Sequence, residues 1–273
     1  MQAHERSHWR SFLHYCGLYR IYFLNYGRRL VQYRSDTVVA LLGGLLMQGG
    51  FLVFIQVLYK RIPHLNGFTQ SDLLFLFGFV TLGRELNRMF LDAPFRVIHL
   101  IRQGRFDVFL LRPCSTLFQV VAGDSQILGI GGAIVGLAAM LMALPGLSVP
   151  FDSWRICWLV IAVMCNVLIQ FSILMSIASL AFRWSEVNSL LLPLSWLYEF
   201  NRYPLTIFHP IVQGILTFLP PFAIGAFYPV AYLLYPAEYS WVPIVVPMMA
   251  LAAFAFCLWL WNAGLHRYTS MNA

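Results

Sequence analysis

Charge is scarce in this chain of 273 residues. Only 11% of it is Asp, Glu, Lys or Arg, against about 25% in an ordinary soluble domain. A single lysine, Lys60, stands beside seventeen arginines. No stretch is long and polar enough to form a separate soluble domain. What fills the space is apolar: 60% of the residues are hydrophobic and the mean hydropathy is +0.71. A bilayer is the solvent that suits such a composition, and the length accommodates about six spans of about 20 residues with short connections. The expectation is one membrane domain over residues 1–273. The net charge of +7, which in a soluble protein would raise the question of nucleic acid, becomes a question of where cations sit relative to the spans.

Chemistry-bearing patterns are equally thin. There is no phosphate-cradling GxxxxGK[ST] loop, and no run of four or more apolar residues ending in a magnesium-holding Asp beside a catalytic carboxylate. ATP hydrolysis by this chain is excluded on that ground. Cys16, Cys114, Cys157, Cys165 and Cys257 show neither metal-ligand spacing nor a disulfide framework. Of the seven histidines (His4, His8, His14, His64, His99, His209, His266), only His4 and His8 are spaced i,i+4. No Ser or Cys occupies a nucleophile elbow, and no acids pair for general acid/base work. No cofactor is expected on this chain. A signal peptide is also not expected, because His14 and Arg20 interrupt the apolar stretch 12–24; the first span is expected to act as the insertion signal.

Hydropathy predicts an all-α integral membrane protein with approximate spans at 37–59, 73–91, 117–144, 156–182, 205–222 and 242–261. Residues 1–36 place Trp9, Phe12, Leu13, Cys16 and Tyr19 at helical spacing beside Arg10, Arg20, Arg28 and Arg29. Such a pattern describes a helix lying on a membrane surface with its arginines toward anionic lipid. Six Lys or Arg precede the first span; Arg96, Arg102, Arg105 and Arg112 follow the second; Arg183 and Arg202 flank 187–200, and Arg267 closes the chain. Only Lys60, Arg61 and Arg155 fall on the opposite side. The positive-inside rule then puts both termini in the cytoplasm, with six crossings of the inner membrane. Segment 187–200, short and interrupted by Pro193, is expected to be interfacial or re-entrant. The proline-rich 220–239 is expected to complete the fifth span and form an outer hairpin, with Tyr228, Tyr232, Tyr235, Tyr239 and Trp241 as an aromatic belt.

Two places carry polar groups in unusual settings. Arg84, Glu85 and Arg88 lie inside the second span, with Arg84 about 10 Å from its end at Leu91. Local neutralisation by Glu85 and Asp92, with snorkelling, is one reading; a polar patch at a subunit interface or along a transport path is the other. The loop after this span runs from Phe95 through Arg102, Gly104, Arg105, Phe106, Asp107, Phe109, Leu110 and Arg112 to Pro113. Pro94 suits a helix start and Gly104 a helix end. Apolar Phe106, Phe109 and Leu110 beside charges, in a loop assigned to the cytoplasm, predict a surface that another protein covers, unless the segment dips into lipid.

The run Gly104-Arg105-Phe106-Asp107-Val108-Phe109-Leu110-Leu111-Arg112-Pro113 resembles the G-x-[LF]-D-x-x-L-L-R-P signature of an ABC-2-type permease group. Two further stretches agree: Arg202-Tyr203-Pro204 through Leu216-Thr217-Phe218-Leu219-Pro220 to Tyr228-Pro229, and the ending Trp261-Asn262-Ala263-Gly264-Leu265-His266-Arg267-Tyr268-Thr269-Ser270. His266 departs from the pattern, where a second basic residue is expected. The resemblance implies a six-span permease subunit that dimerises with itself or a sister permease, docks separate ABC ATPase subunits that carry ATP and Mg, and serves mostly in export. It further implies that the coupling element lies within 95–113 and that the N-terminal surface helix touches the ATPase as well. A secondary transporter or channel, or a membrane enzyme, are the competing readings; the missing inverted repeat and paired acids weigh against the first two, and the missing nucleophile or metal constellation against the last.

Overall fold

A computed structural model describes residues 17–22, 24, 27, 28, 32, 34–61, 67–123, 126, 129–147, 149, 150, 152–184 and 186–268. Every regular element among them is helical. In chain order these are α1 (Arg34–Arg61), α2 (Gln70–Leu91), α3 (Ala93–Arg102), α4 (Asp107–Leu110), α5 (Thr116–Ala122), α6 (Ile130–Ala143), α7 (Ser153–Ser179), α8 (Asn188–Glu199), α9 (Pro210–Phe218), α10 (Phe222–Leu234) and α11 (Val242–Leu265), with short 3-10 turns at Leu144–Gly146, Leu180–Phe182, Phe200–Arg202 and Leu205–Ile207.

The centre of the fold is α2, in which every residue from Asp72 to Thr81 is buried. A capping box starts it: the Thr69 hydroxyl accepts from the Asp72 amide (3.2 Å) and the Asp72 carboxylate accepts from the Thr69 amide (2.9 Å), which satisfies donors that would otherwise be orphaned. Its neighbours are α6, α7, α10 and α1. Glycine sets the approach of α2 to α6: a Cβ at Gly136 would lie 2.8 Å from the Leu82 amide, and one at Gly78 would lie 2.5 Å from the Gly136 carbonyl. In a bilayer, where lipid tails are as apolar as leucine, this close backbone packing replaces the hydrophobic drive. A second layer forms where α7 packs on α11 and α10, and the Trp158 indole N–H donates to the Pro229 carbonyl at 3.2 Å. The apolar residues facing outward, among them Val39, Leu46, Met47, Ile134, Met164, Ile244 and Leu251, have a hydrocarbon exterior as their natural partner.

Among the described residues, three helices are long and apolar enough to cross a membrane: Arg34–Val57, Ser153–Phe182 and Val242–Leu265; the pair α9–α10 counts as a fourth if taken as one broken span. Helix α2, at 22 residues, is long enough at about 1.5 Å per residue, but Asp72, Arg84, Glu85 and Arg88 lower its hydropathy. Two expected spans differ in form. The stretch 117–144 contains two described helices, α5 and α6, and in the sequence between them polar Asp124, Ser125 and Gln126 interrupt the apolar run. Within 205–222 α9 is the one α-helix before α10 starts at Phe222; the helix ends ahead of Pro220 and Pro221 and α10 leaves at 105°, because proline lacks the amide hydrogen and disfavours helix in the preceding residue. The aromatics of 228–241 form a packed cluster: Tyr228 meets Trp241 at 5.0 Å and Tyr239 at 6.1 Å, while the Tyr235 hydroxyl donates to Asp72 (3.1 Å). Segment 187–200 folds as α8, whose 12 residues span about 18 Å, short of a hydrocarbon core of about 30 Å. In the N-terminal segment, Tyr19, Arg20 and Arg28 are helical; Trp9, Arg10, Phe12, Leu13, Cys16 and Arg29 lie outside the described residues.

Candidate functional site: a pinned loop and a polar cluster on a buried helix

The loop after α2 is held on a short amphipathic helix. In α3, Ala93, Pro94, Val97, Ile98, Leu100 and Ile101 are buried, largely against α7, while Arg102 is exposed at its end. Gly104 then takes φ +65°, and the chain turns with the Gly104 amide on the Ile101 carbonyl (3.0 Å) and the Arg105 amide on the Leu100 carbonyl (3.0 Å). The left-handed conformation is open to glycine without steric cost, and it explains why this residue type stands there.

Phe106 is the surprise of the loop. Expected as an apolar knob on the surface, it is fully buried in a ring cluster inside the chain: Phe182 at 5.1 Å, Tyr268 at 5.4 Å, Trp261 at 6.0 Å and Phe109 at 6.0 Å. The Phe109 contact is stacked, and the edge-on contacts with Phe182, Tyr268 and Trp261 tie the loop to the end of α7 and to the end of α11. Asp107 lies beside the Tyr268 hydroxyl, which burial and that neighbouring carboxylate push up to about 12. Phe109 is half-buried, with the Arg112 guanidinium 5.8 Å above its ring; its carbonyl and that of Cys114 accept from the Gln119 amide (3.2 and 2.8 Å). What remains outside is Arg102, Gln103, Arg105, Val108, Leu110, Leu111, Arg112 and Pro113, with Leu111 86% exposed. The Arg112 guanidinium also reaches the Tyr22 hydroxyl (3.4 Å), so the N-terminal segment meets this loop. Val108 and Leu111 were legible only as part of an apolar run; their exposure comes from the burial of Phe106.

The charges of α2 separate into two settings. Glu85 is buried and turns toward α1, where the Gln48 amide donates to it at 3.2 Å, against the bare backbone of Gly132. Arg84 makes an ion pair with Glu199 at the end of α8, a distant partner beside the local Glu85 that the sequence suggests. Glu199 also holds Arg202 at 2.9 Å. Arg202 is 5% exposed and covers the faces of Phe51 (5.1 Å) and Phe77 (5.4 Å). It is therefore a core cation, correcting its reading as a loop charge flanking 187–200: one carboxylate and two ring faces surround it. Tyr198 donates to Asn166 at 2.8 Å and secures α8 to α7. Arg88, on the face of α2 shared with Arg84, donates to the Gln126 side chain (3.1 Å), and the Gln126 amide in turn donates to Asp92. Arg84 and Arg88 line one cleft of about 350 Å³, walled by Asn87, Phe95, Gln170, Leu174, Trp196 and Glu199. Sequence reasoning missed Glu199, Asn166 and Tyr198, and no local pattern would have found them.

No group of three or more metal-ligating side chains gathers among the described residues. A family model described as ABC-2 family transporter protein matches residues 45–272. No curated protein and no solved structure gives a significant match.

Proposed function

The chain belongs to the ABC-2 transporter family, and from that membership we propose that it is the membrane-spanning permease of an ATP-binding cassette exporter, working as a dimer and driven by separate ATPase subunits. ATP and Mg belong to the partner, and this chain binds no cofactor. The observation that carries the reading is the loop 93–113, a pinned element with an outer face of Arg102, Arg105, Leu110, Leu111, Arg112 and Pro113. Phe106 and Tyr268 hold that face to the ends of α7 and α11, so a push on the loop is a push on two long helices. ATPase closure would bias a two-state arrangement of the spans through this attachment. Gly104 gives the loop its turn, and Asp107 keeps it beside Tyr268.

Six crossings complete the arrangement: α1, α2, the α5–α6 pair, α7, the bent α9–α10 pair and α11. Both termini are then cytoplasmic in the inner membrane, with the loop on the ATPase side. The partners are the ATPase subunits, a second copy or sister permease, and lipid; nucleic acid is not among them.

Purification of the tagged chain from its native membrane in mild detergent tests the reading. A co-purifying ATPase whose association drops on Leu110→Ala/Leu111→Ala, with the permease still monodisperse, supports it. Repeated isolation without any ATPase returns the chain to a secondary transporter or channel.

A further inference from the structure

The cleft between α2 and α8 combines a cationic fork, amides and an apolar wall. Its volume of about 350 Å³ falls within the range of small-molecule sites, about 300–1,000 Å³. Its two carboxylates are engaged: Glu199 by Arg84 and Arg202, Asp92 by the Gln126 amide. Arg88 is exposed to the cleft. Its Nε is spent on the Gln126 oxygen at 3.1 Å, which orients the guanidinium, and its two terminal nitrogens meet no acceptor among the described residues. A guanidinium held in this way presents a planar pair of donors, the geometry that takes two oxygens of a carboxylate or phosphate at once. Gln170, 6% exposed, lines the same cleft with an amide oxygen that has no hydrogen-bond partner among the described residues. A buried acceptor without a donor is costly, and a ligand hydroxyl next to the anion would relieve it. Phe95, Leu174 and Trp196 supply the apolar side, with the indole of Trp196 67% exposed.

We propose that this cleft binds one anionic group, a phosphate or carboxylate, carried on an apolar body, with Arg88 as the fork, Gln170 as the acceptor for an adjoining hydroxyl, and Trp196, Leu174 and Phe95 against the apolar part. The inference rests on the permease reading, since it names the chemical class of the cargo. Arg88 lies one turn before the α3 end of α2, so an amphipath enters from the leaflet on that side, head first. Arg84, one turn deeper on the same face, is the next cation along the path.

The test is calorimetric titration of the purified chain, with whatever subunits co-purify, in an uncharged detergent. Dodecyl phosphate should bind, dodecyltrimethylammonium should not. Arg88→Gln should weaken the phosphate at least tenfold, Arg88→Lys less, and Arg155→Gln not at all, each variant keeping the parent's gel-filtration profile. Equal binding of the ammonium amphipath, or an unchanged affinity in both Arg88 variants, overturns the proposal. So does displacement by millimolar inorganic phosphate, which would mark a site for a small free anion without an apolar body. Repeating the titration in nanodiscs separates two sources that both support it: loss of binding only in phosphatidylglycerol assigns the site to a lipid headgroup, and retention in both phosphatidylglycerol and phosphatidylcholine assigns it to a non-lipid amphipath. No ATPase is needed for this readout, so a failure to find the partner ATPase leaves the result legible.

Discussion

Phe106 shows how one ring decides what a loop presents. Its neighbours Phe182, Trp261 and Tyr268 come from distant parts of the chain, and removing the ring leaves a hole among them. Phe106→Ala is expected to cost about 3 kcal/mol from the cavity and lost contacts, read as a lower unfolding temperature in detergent, whereas Leu111→Ala leaves that temperature unchanged. The two variants thereby separate pinning from docking. At Glu199, one carboxylate serves two arginines. Glu199→Gln removes the carboxylate that pairs with both Arg84 and Arg202 and leaves Glu85 as their remaining acidic neighbour, and breaking a largely buried pair in this way is destabilising. Its Tm should fall, and the Glu199→Gln/Arg202→Gln double variant should recover part of the loss. Strict additivity in that cycle would show that the groups do not couple.

At the scale of elements, the contact of α2 with α6 is a backbone contact. A methyl at Gly136 would press on the Leu82 amide and the Gly78 carbonyl (2.8 and 2.9 Å), and backbone cannot rotate away as a flexible side chain does. Gly136→Ala is therefore expected to lower thermostability in detergent, while Gly43→Ala, with nothing within 4 Å, is expected to be neutral or slightly stabilising through helix propensity. Equal melting of the two would remove close packing as the reason for Gly136. The breaks in the fifth region follow the same logic of backbone constraint: Pro220 and Pro221 end α9, and the buried α10 supplies the protein surroundings that irregular backbone needs at depth.

At the scale of the whole molecule, the loop and the N-terminus of α7 lie at opposite ends of the bundle in the six-crossing arrangement. A single cysteine at Leu111, in a variant freed of its native cysteines, should react with an impermeant maleimide only in inside-out vesicles, and one at Arg155 only in right-side-out vesicles. Labelling of both from the same side would overturn the orientation and, with it, the placement of the loop against an ATPase. If the orientation holds, the polar cleft beside Arg88 opens toward the ATPase leaflet.

Membrane class, helix content and the locations of α1, α7 and α11 were determined by the sequence alone, because long apolar runs have one stable form in hydrocarbon, where every backbone amide must be satisfied within its own helix. Family membership was legible for a related reason: the Gly104–Pro113 motif is local, and a turn that needs a left-handed glycine between a helix and a proline leaves its mark in adjacent residues. The tertiary structure decided the rest. It buried Phe106, which sequence reading placed outside, and it gave Arg84 a partner in Glu199 and Arg202 a place in the core. Such pairings join residues far apart in the chain, and burial is a property of what packs above a residue, so neither is written in the spacing of its neighbours.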